Sequence, residues 1–229
     1  MQQGVIDFPS PLIPSTPLSR RASATLLGAF CIALGLAALS LWSAMATPLT
    51  NLGSPQQMQR SGAYEQWAKG AVIVLVRHAE RCDRSHGACL GDPSGITVAG
   101  SQAADALGDG LQRLGLASTD TLVSPEVRTR QTARFIFDNP VTPQPWLARC
   151  DSSFAQAALD HKRAGRNLVL VTHSGCIDQF ERQLGVAAGE RSAAYASALF
   201  VTLDEGGKPR ILGQIQANAW RRLGKGRQA

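Results

Sequence analysis

The feature that most constrains this chain is an uninterrupted apolar run, Val72–Val76, that ends in Arg77 and His78. Consecutive β-branched and leucine residues are typical of a strand that is covered on both faces, and such strands are usually parallel and central in a sheet. In open α/β sheets, ligands bind just beyond the carboxyl ends of these strands. The sequence therefore predicts that Arg77 and His78 stand at a ligand site.

A second apolar run, Asn167–Thr172, repeats this pattern and ends in His173, which Ser174 and Gly175 follow. Two buried strands that each deliver a histidine at the carboxyl end would bring both histidines to one edge of a sheet. From Ala71 onward, strand patterns alternate with helix patterns. This alternation favours a single α/β domain with a mostly parallel central sheet.

Helix signals separate these strands. Apolar residues recur at helical spacing from Thr97, a predicted cap, to Leu114. A second helix is predicted to begin at Ser124 and Pro125, with the serine hydroxyl as its cap and the proline at its first position, and to reach about Phe137. The other predicted elements are a short strand at Thr121–Val123, a strand at Pro145–Ala148, a helix over Ser152–Lys162, a helix over Ile177–Leu184, and a hairpin of Ala198–Leu203 with Arg210–Ile215.

An uncharged segment rich in Leu, Ala and Gly, Ala22–Ala46, follows Arg20 and Arg21. Its length suits the roughly 20 residues that cross a hydrocarbon core, and the two arginines favour a cytoplasmic N-terminus with the rest of the chain exported. Ala44-Met45-Ala46 also offers a small-x-small cleavage site, so an inner-membrane anchor and a removed signal peptide both stay open. Either form predicts a periplasmic domain.

These sequence signals divide the chain into five parts. They are a disordered cytoplasmic leader at 1–21, the anchor or signal peptide at 22–46, a linker rich in Gln, Ser, Gly and Pro at 47–70, the α/β domain at 71–217 and a solvated basic tail at 218–229.

Because the domain is expected to be exported, its cysteines can indicate disulfide bonds. Cys31 lies in the apolar segment, which leaves Cys82, Cys89, Cys150 and Cys176. An even number of cysteines in an exported domain suggests two disulfides, although the sequence does not choose among the three pairings or exclude free thiols. We favour a bond between Cys82 and Cys89, which would close the loop behind His78, and a second bond between Cys150 and Cys176.

The residue types at the strand ends favour a phosphate ligand. A shared cleft would hold His78 and His173 with Arg77 and Arg128, and few carboxylates. The guanidinium fork matches phosphate oxygens, and histidine can act as base, acid or nucleophile near neutral pH. The net charge of +6 suits an anionic partner, but scattered basic residues and few aromatic residues do not favour nucleic acid.

Four motifs, in order along the chain, together resemble the histidine phosphatase superfamily, whose fold is the phosphoglycerate mutase-like three-layer α/β sandwich. The motifs are Val76-Arg77-His78-Ala79-Glu80, Ile96-Thr97-Val98-Ala99-Gly100, Ser124–Ala133 and Thr172-His173-Ser174-Gly175. The extended first motif, from Arg77 to Ser85, most resembles periplasmic members that dephosphorylate a sugar of the lipopolysaccharide core.

The resemblance implies a phosphomonoesterase in which His78 accepts the phosphoryl group, forming a phosphohistidine, while Arg77, Arg128 and His173 surround the phosphate. It implies a phosphorylated small molecule or envelope glycolipid as substrate and no metal or other cofactor. The alternatives are a phosphohistidine phosphatase or mutase of the same fold, or a phosphate-binding envelope module without turnover. The sequence does not indicate the oligomeric state.

The general acid is the part of the site where the chain departs from the resemblance. The family's glutamate after the third strand has no match here, and the other branch's His-Asp pair is His173-Ser174. Asp151 is the candidate acid because it follows the presumed strand near Cys150, and Glu80 is the alternative.

Overall fold

The computed structural model describes residues 30–35, 37, 49–204 and 206–223. The chain divides into two compact units, Met1–Met45 and Ala46–Ala229. In the first unit, residues 30–35 are helical. The rest of the expected membrane segment, the leader and the end of the basic tail lie outside the described residues. Within the described ranges, no helix has the length and apolar character needed to cross a bilayer.

A five-stranded sheet forms the centre of the second unit, with the strand order β2-β3-β1-β4-β5. The strands are β1 (Val72–Arg77), β2 (Thr119–Val123), β3 (Asn167–Thr172), β4 (Ala198–Leu203) and β5 (Pro209–Ile215). The central strand is β1, and its residues from Val72 to Val76 are fully buried. The apolar run therefore forms the doubly covered strand that the sequence predicts.

The sheet is mixed, so the expectation of a mostly parallel sheet is not confirmed. In the described part of the chain, β3 pairs in parallel with both β1 and β2, whereas β4 pairs antiparallel with β1 and with β5. The hairpin of β4 and β5 is present as predicted. Its short connection forces antiparallel pairing, because parallel neighbours need a long crossover.

Helices cover both faces of the sheet. They are α1 (Pro55–Arg60), α2 (Ala63–Ala68), α3 (Val98–Leu114), α4 (Val127–Phe137), α5 (Phe154–Asp160), α6 (Ser174–Gln183) and α7 (Trp220–Leu223). Because side chains alternate along a strand, Val74 of β1 faces the cluster that contains Leu107 of α3, whereas Leu75 faces the cluster that contains Phe180 of α6. Thr97 caps α3 as predicted, accepting a hydrogen bond from the Gly100 N–H at 2.9 Å.

The segment from residue 49 to residue 70 is part of the folded domain, whereas the sequence analysis predicted a linker there. Helices α1 and α2 lie in this segment, and Met58 and Trp67 are buried in the core. The Trp67 indole N–H also donates to the Gly115 carbonyl at 3.0 Å. Single apolar anchors among polar residues leave no periodic pattern, which explains why the sequence did not reveal them.

Two further boundaries differ from the predictions. Pro145–Ala148 forms a 3-10 turn rather than a strand, and the helix that follows covers only Phe154–Asp160. The backbone N–H groups of Leu147 and Arg149 bond locally, to the carbonyls of Gln144 and Trp146, instead of to a neighbouring strand. The start of the basic tail is not solvated, because the Trp220 side chain is fully buried in the core.

Both favoured disulfides are present. Cys82 bonds to Cys89 and Cys150 bonds to Cys176. The first disulfide closes the loop after β1. The second joins the segment after the 3-10 turn to the first turn of α6, which begins directly after His173. Each histidine loop is therefore held by a covalent link within a few residues.

Candidate active site

The carboxyl ends of β1 and β3 place the two histidines side by side. These strands are parallel neighbours in which Arg77 lies opposite Thr172, so His78 and His173 leave the sheet at the same level. Their ring centroids are 5.5 Å apart. The prediction that both strand ends face one site is confirmed.

His78 is buried and holds a defined tautomer. Its Nδ1 atom lies 2.8 Å from the Ala79 carbonyl oxygen. A carbonyl only accepts hydrogen bonds, so Nδ1 carries the proton and Nε2 keeps its lone pair. Burial lowers the pKa of His78 to about 3, and the charges of Arg128 and Arg77 act in the same direction. The imidazole is therefore neutral at physiological pH and can act as a nucleophile.

His173 adopts the opposite tautomer. Its Nδ1 atom lies 3.5 Å from a terminal guanidinium nitrogen of Arg128, and its Nε2 atom lies 2.8 Å from the Ser124 hydroxyl. Because arginine only donates, Nδ1 accepts, and the Nε2–H donates to Ser124. Burial, followed by the charge of Arg128, lowers the pKa of His173 to about 4. Both ring nitrogens of this neutral imidazole are therefore engaged, Nε2 with Ser124 and Nδ1 with Arg128.

The sequence analysis predicted that the Ser124 hydroxyl caps a helix, but in the structure this hydroxyl bonds to a histidine of the site. Helix α4 begins at Val127 with Glu126 at its N-cap position, and no side chain caps it. The Ser124 hydroxyl, at the end of β2, points instead to His173. The carboxyl ends of β1, β2 and β3 thus supply His78, Ser124 and His173.

Arg77 is held by a loop that the sequence analysis did not include in the site. Its guanidinium donates to the Ala193 carbonyl at 2.7 Å and lies 3.8 Å from the centre of the Tyr195 ring. The same ring lies 5.6 Å, centre to centre, from the imidazole of His78. One backbone carbonyl and one aromatic ring therefore hold the Arg77 guanidinium, and neither belongs to a sequence motif that contains the histidines.

Both arginines retain buried N–H groups that can bind an oxyanion. The Nε atoms of Arg77 and Arg128 are buried and have no hydrogen-bond partner in the described part of the chain. An unsatisfied buried donor costs about 1–3 kcal/mol, and more when it is charged. Donors of this kind suit the oxygens of a phosphate group, which is the ligand that the sequence analysis assigned to both residues.

The carboxylates are arranged differently from the expectation. Asp151 is exposed, and its carboxylate accepts from the backbone N–H and the hydroxyl of Ser153, which lower its pKa. None of its described contacts reaches either histidine. The Glu80 carboxylate accepts from the Thr97 hydroxyl at 2.7 Å and so braces the start of α3.

Glu126 is a carboxylate that the sequence analysis missed. It lies 3.2 Å from the Arg128 guanidinium, and its negative charge opposes the lowering of the His173 pKa. It occupies a variable position of the motif that begins at Ser124, so no sequence pattern indicates its role. The structure thus associates Glu126, and not Asp151, with the histidine pair.

Helix α4 is tied to the loop that carries His78. The Ala79 N–H donates to the Thr132 hydroxyl at 2.9 Å, and that hydroxyl donates to the Arg128 carbonyl at 2.7 Å. The Gln131 side-chain oxygen accepts from the Ile96 N–H at 2.8 Å. These bonds fix Arg128 relative to His78, which explains why the motif contains a Gln-Thr pair.

This fold and this site define a phosphatase with a pair of histidines, and the chain belongs to the histidine phosphatase superfamily. Residues 73–148 match the sequence model of branch 1 of that superfamily. The resemblance drawn from the four motifs is confirmed, and the protein is a phosphatase.

Among individual proteins, the chain is similar to the lipopolysaccharide core heptose(II)-phosphate phosphatases of Salmonella newport and Salmonella typhi. It is 35% identical to each over 166 residues, which cover 69% of this chain and 76% of the relative. Its fold is similar to that of the phosphoserine phosphatase of Entamoeba histolytica, with a TM-score of 0.52 and 15% identity over 65% of this chain and 98% of that one.

Proposed function

We propose that this phosphatase is a periplasmic phosphomonoesterase that removes phosphate from a phosphorylated sugar of the cell envelope through a phosphohistidine on His78. The observation that carries the mechanism is the hydrogen bond from His78 Nδ1 to the Ala79 carbonyl, which leaves Nε2 unprotonated beside two arginines. The similarity to heptose(II)-phosphate phosphatases supports the substrate class. The two disulfides support an oxidising compartment.

In the first step, the lone pair of His78 Nε2 attacks phosphorus, and the bond between phosphorus and the sugar oxygen breaks. Arg77 and Arg128 donate to the phosphoryl oxygens and stabilise the charge on them. The leaving oxygen takes the electron pair and a proton. We assign that proton to the protonated form of Glu126, because this carboxyl group lies beside Arg128 and its charge acts on His173.

In the second step, water attacks the phosphorus of the phosphohistidine. The phosphorus–nitrogen bond breaks, its electron pair returns to His78 Nε2, and inorganic phosphate leaves. The proton that water loses passes to the Glu126 carboxylate, which restores the acid for the next cycle. In both steps the Nε2–H of His173 leaves the Ser124 hydroxyl, to which it donates in the free enzyme, and donates to a phosphoryl oxygen instead.

The test is phosphate release from a heptose phosphate by the purified full chain in excess chelator. Mass spectrometry of rapidly quenched enzyme should find an acid-labile phosphoryl group on His78. His78→Ala should abolish both signals, whereas the control His86→Ala changes an exposed histidine and should alter neither. Turnover that survives His78→Ala would overturn the mechanism.

The compartment needs its own experiment. A reporter enzyme that is active only after export is fused to the C-terminus of the full chain. Reporter activity supports the periplasmic location, and a reporter that is expressed but inactive contradicts it.

A further inference from the structure

An open polar depression lies at the same edge of the sheet as the two histidines. Its volume is about 430 Å³, which is within the range of roughly 300–1,000 Å³ that is typical of ligand sites. Its polar lining residues are Asn51, Gln216, Asn218 and Arg222, and Ala194 lines it on the side of the loop that holds Arg77.

The sheet register fixes the position of this depression relative to His78. Val76 of β1 lies opposite Ala198 of β4, which in turn lies opposite Ile215 of β5. Neighbouring strands are about 4.8 Å apart, so the chain leaves β5 at Gln216 roughly 10 Å from the carboxyl end of β1. A ligand with its phosphate at His78 can therefore reach the depression with the next one or two sugar residues.

The loop between α6 and β4 connects the two places directly. Tyr195, whose ring lies beside His78 and Arg77, is the neighbour in sequence of Ala194, which lines the depression. Tyr195 is only half-buried, so part of its ring can pack against a sugar. The path from the nucleophile to the depression thus passes along one aromatic side chain.

Hydrogen bonds hold two of the residues that line the depression in place. The Gln214 side-chain amide donates to the Ser192 carbonyl at 3.1 Å, and its oxygen accepts from the Gln216 amide at 2.9 Å. Gln214 itself is buried. The Asn51 side-chain oxygen accepts from the Gly53 N–H at 2.8 Å. A site that is already ordered loses less conformational entropy when a ligand binds.

The lining offers the groups that bind a polyhydroxylated anion. Amide side chains donate and accept at once, as adjacent sugar hydroxyls do, and arginine binds carboxylate or phosphate. Asn218 and Arg222 are exposed and have no side-chain hydrogen bond or ion pair with any other described residue. A second depression of about 280 Å³ adjoins the first, shares Ala217 and Asn218 with it and is lined largely by alanines, so the concave surface continues with a more apolar lining.

We infer that this polar surface, formed by Asn51, Gln216, Asn218 and Arg222, is a saccharide subsite. It binds the sugar residues next to the phosphorylated one in an anionic oligosaccharide. The inference rests on the proposed function, because it concerns the same substrate, and it adds where on this chain the neighbouring sugars bind.

The test compares two substrates, a phosphorylated heptose monosaccharide and an oligosaccharide of at least three sugars that carries the same phosphoheptose. The wild-type full chain should prefer the oligosaccharide by about tenfold or more in kcat/KM. The double variant Asn218→Ala, Arg222→Ala should lose most of this preference through KM and should hydrolyse the monosaccharide as the wild type does. Arg210→Ala, an exposed arginine at the opposite end of β5, should keep the preference.

Calorimetric titration with the phosphate-free oligosaccharide tests the subsite without turnover. The wild type should bind it, and the double variant should bind it about tenfold more weakly or not at all. Equal hydrolysis of both substrates by the wild type, or an unchanged preference in the double variant, overturns the subsite. Failure of the wild type to hydrolyse either phosphosugar instead overturns the proposed function, and the titration still decides the subsite.

Discussion

The lowered pKa of His78 makes a quantitative prediction about stability. Burial and nearby positive charges lower this pKa from 6.5 to about 3. Above pH 6.5 the imidazole is neutral in both the folded and the unfolded chain. Below it, the unfolded chain binds a proton that the folded chain does not, so the free energy of unfolding falls until the pH reaches the folded pKa. Between about pH 7 and about pH 5, this single group accounts for about 2 kcal/mol of lost stability.

Urea unfolding of the full chain in detergent at these two pH values measures this loss. In His78→Gln the loss on acidification should be about 2 kcal/mol smaller than in the wild type, because glutamine does not titrate and the other groups contribute equally to both proteins. The control His86→Gln changes an exposed side chain and should behave as the wild type. Nitrogen NMR of labelled histidines should also find the proton of His78 on Nδ1 at neutral pH.

Two results would refute the reasoning. One is an equal loss of stability in the wild type and in His78→Gln. The other is an NMR titration of His78 with its midpoint near the ordinary value of 6.5. Either result would mean that the imidazole is solvated in the folded protein and charged in mildly acidic solution, where it could not attack phosphorus.

Four further predictions follow from individual contacts. Thr132→Val leaves the Ala79 N–H buried without an acceptor and should lower the free energy of unfolding by about 1–3 kcal/mol in urea. Tyr195→Ala should raise KM about 2- to 20-fold by removing the ring that stacks on Arg77, whereas Tyr195→Phe keeps the ring and should raise KM less. Glu126→Gln should slow hydrolysis of a sugar phosphate by about a hundredfold or more, but slow an aryl phosphate with a good leaving group far less. Glu181 is fully buried, and burial raises its pKa from 4.5 to about 7. The free energy of unfolding should therefore fall as the pH rises from 4.5 toward 7, because the folded chain holds a proton that the unfolded chain has released. Glu181→Gln should remove that fall in urea unfolding.

The sequence predicts the middle of the sheet because a strand that is buried on both faces needs a continuous apolar run. Val72–Val76 and Asn167–Thr172 are apolar without interruption or nearly so, and each lies in an interior strand of the sheet. The histidines follow from these strands, because residues at the carboxyl ends of parallel neighbours must meet. The apolar periodicity of α3 and its Thr97 cap are equally direct signals.

The rest of the site depends on contacts that leave little trace in a sequence. Ala193 contributes a backbone carbonyl, which any residue could supply. Tyr195 reaches Arg77 through a loop that is distant in sequence, and Glu126 sits between motif positions. Trp67 anchors the segment before β1 alone, so no pattern distinguishes it from a linker residue. In each case the contact depends on how the folded chain brings distant segments together, which no local sequence pattern indicates.

The register between β1 and β3 divides the chain into positions that tolerate changes in length and positions that do not. Because successive side chains of a strand point to opposite faces, inserting one residue into Val72–Arg77 or Asn167–Thr172 would turn one histidine away from the other. An insertion in the connection 204–208 at the far end of the β4–β5 hairpin would lengthen a surface turn and leave both strand ends in place. Homologues should therefore differ in length at such turns and keep the lengths of these two strands.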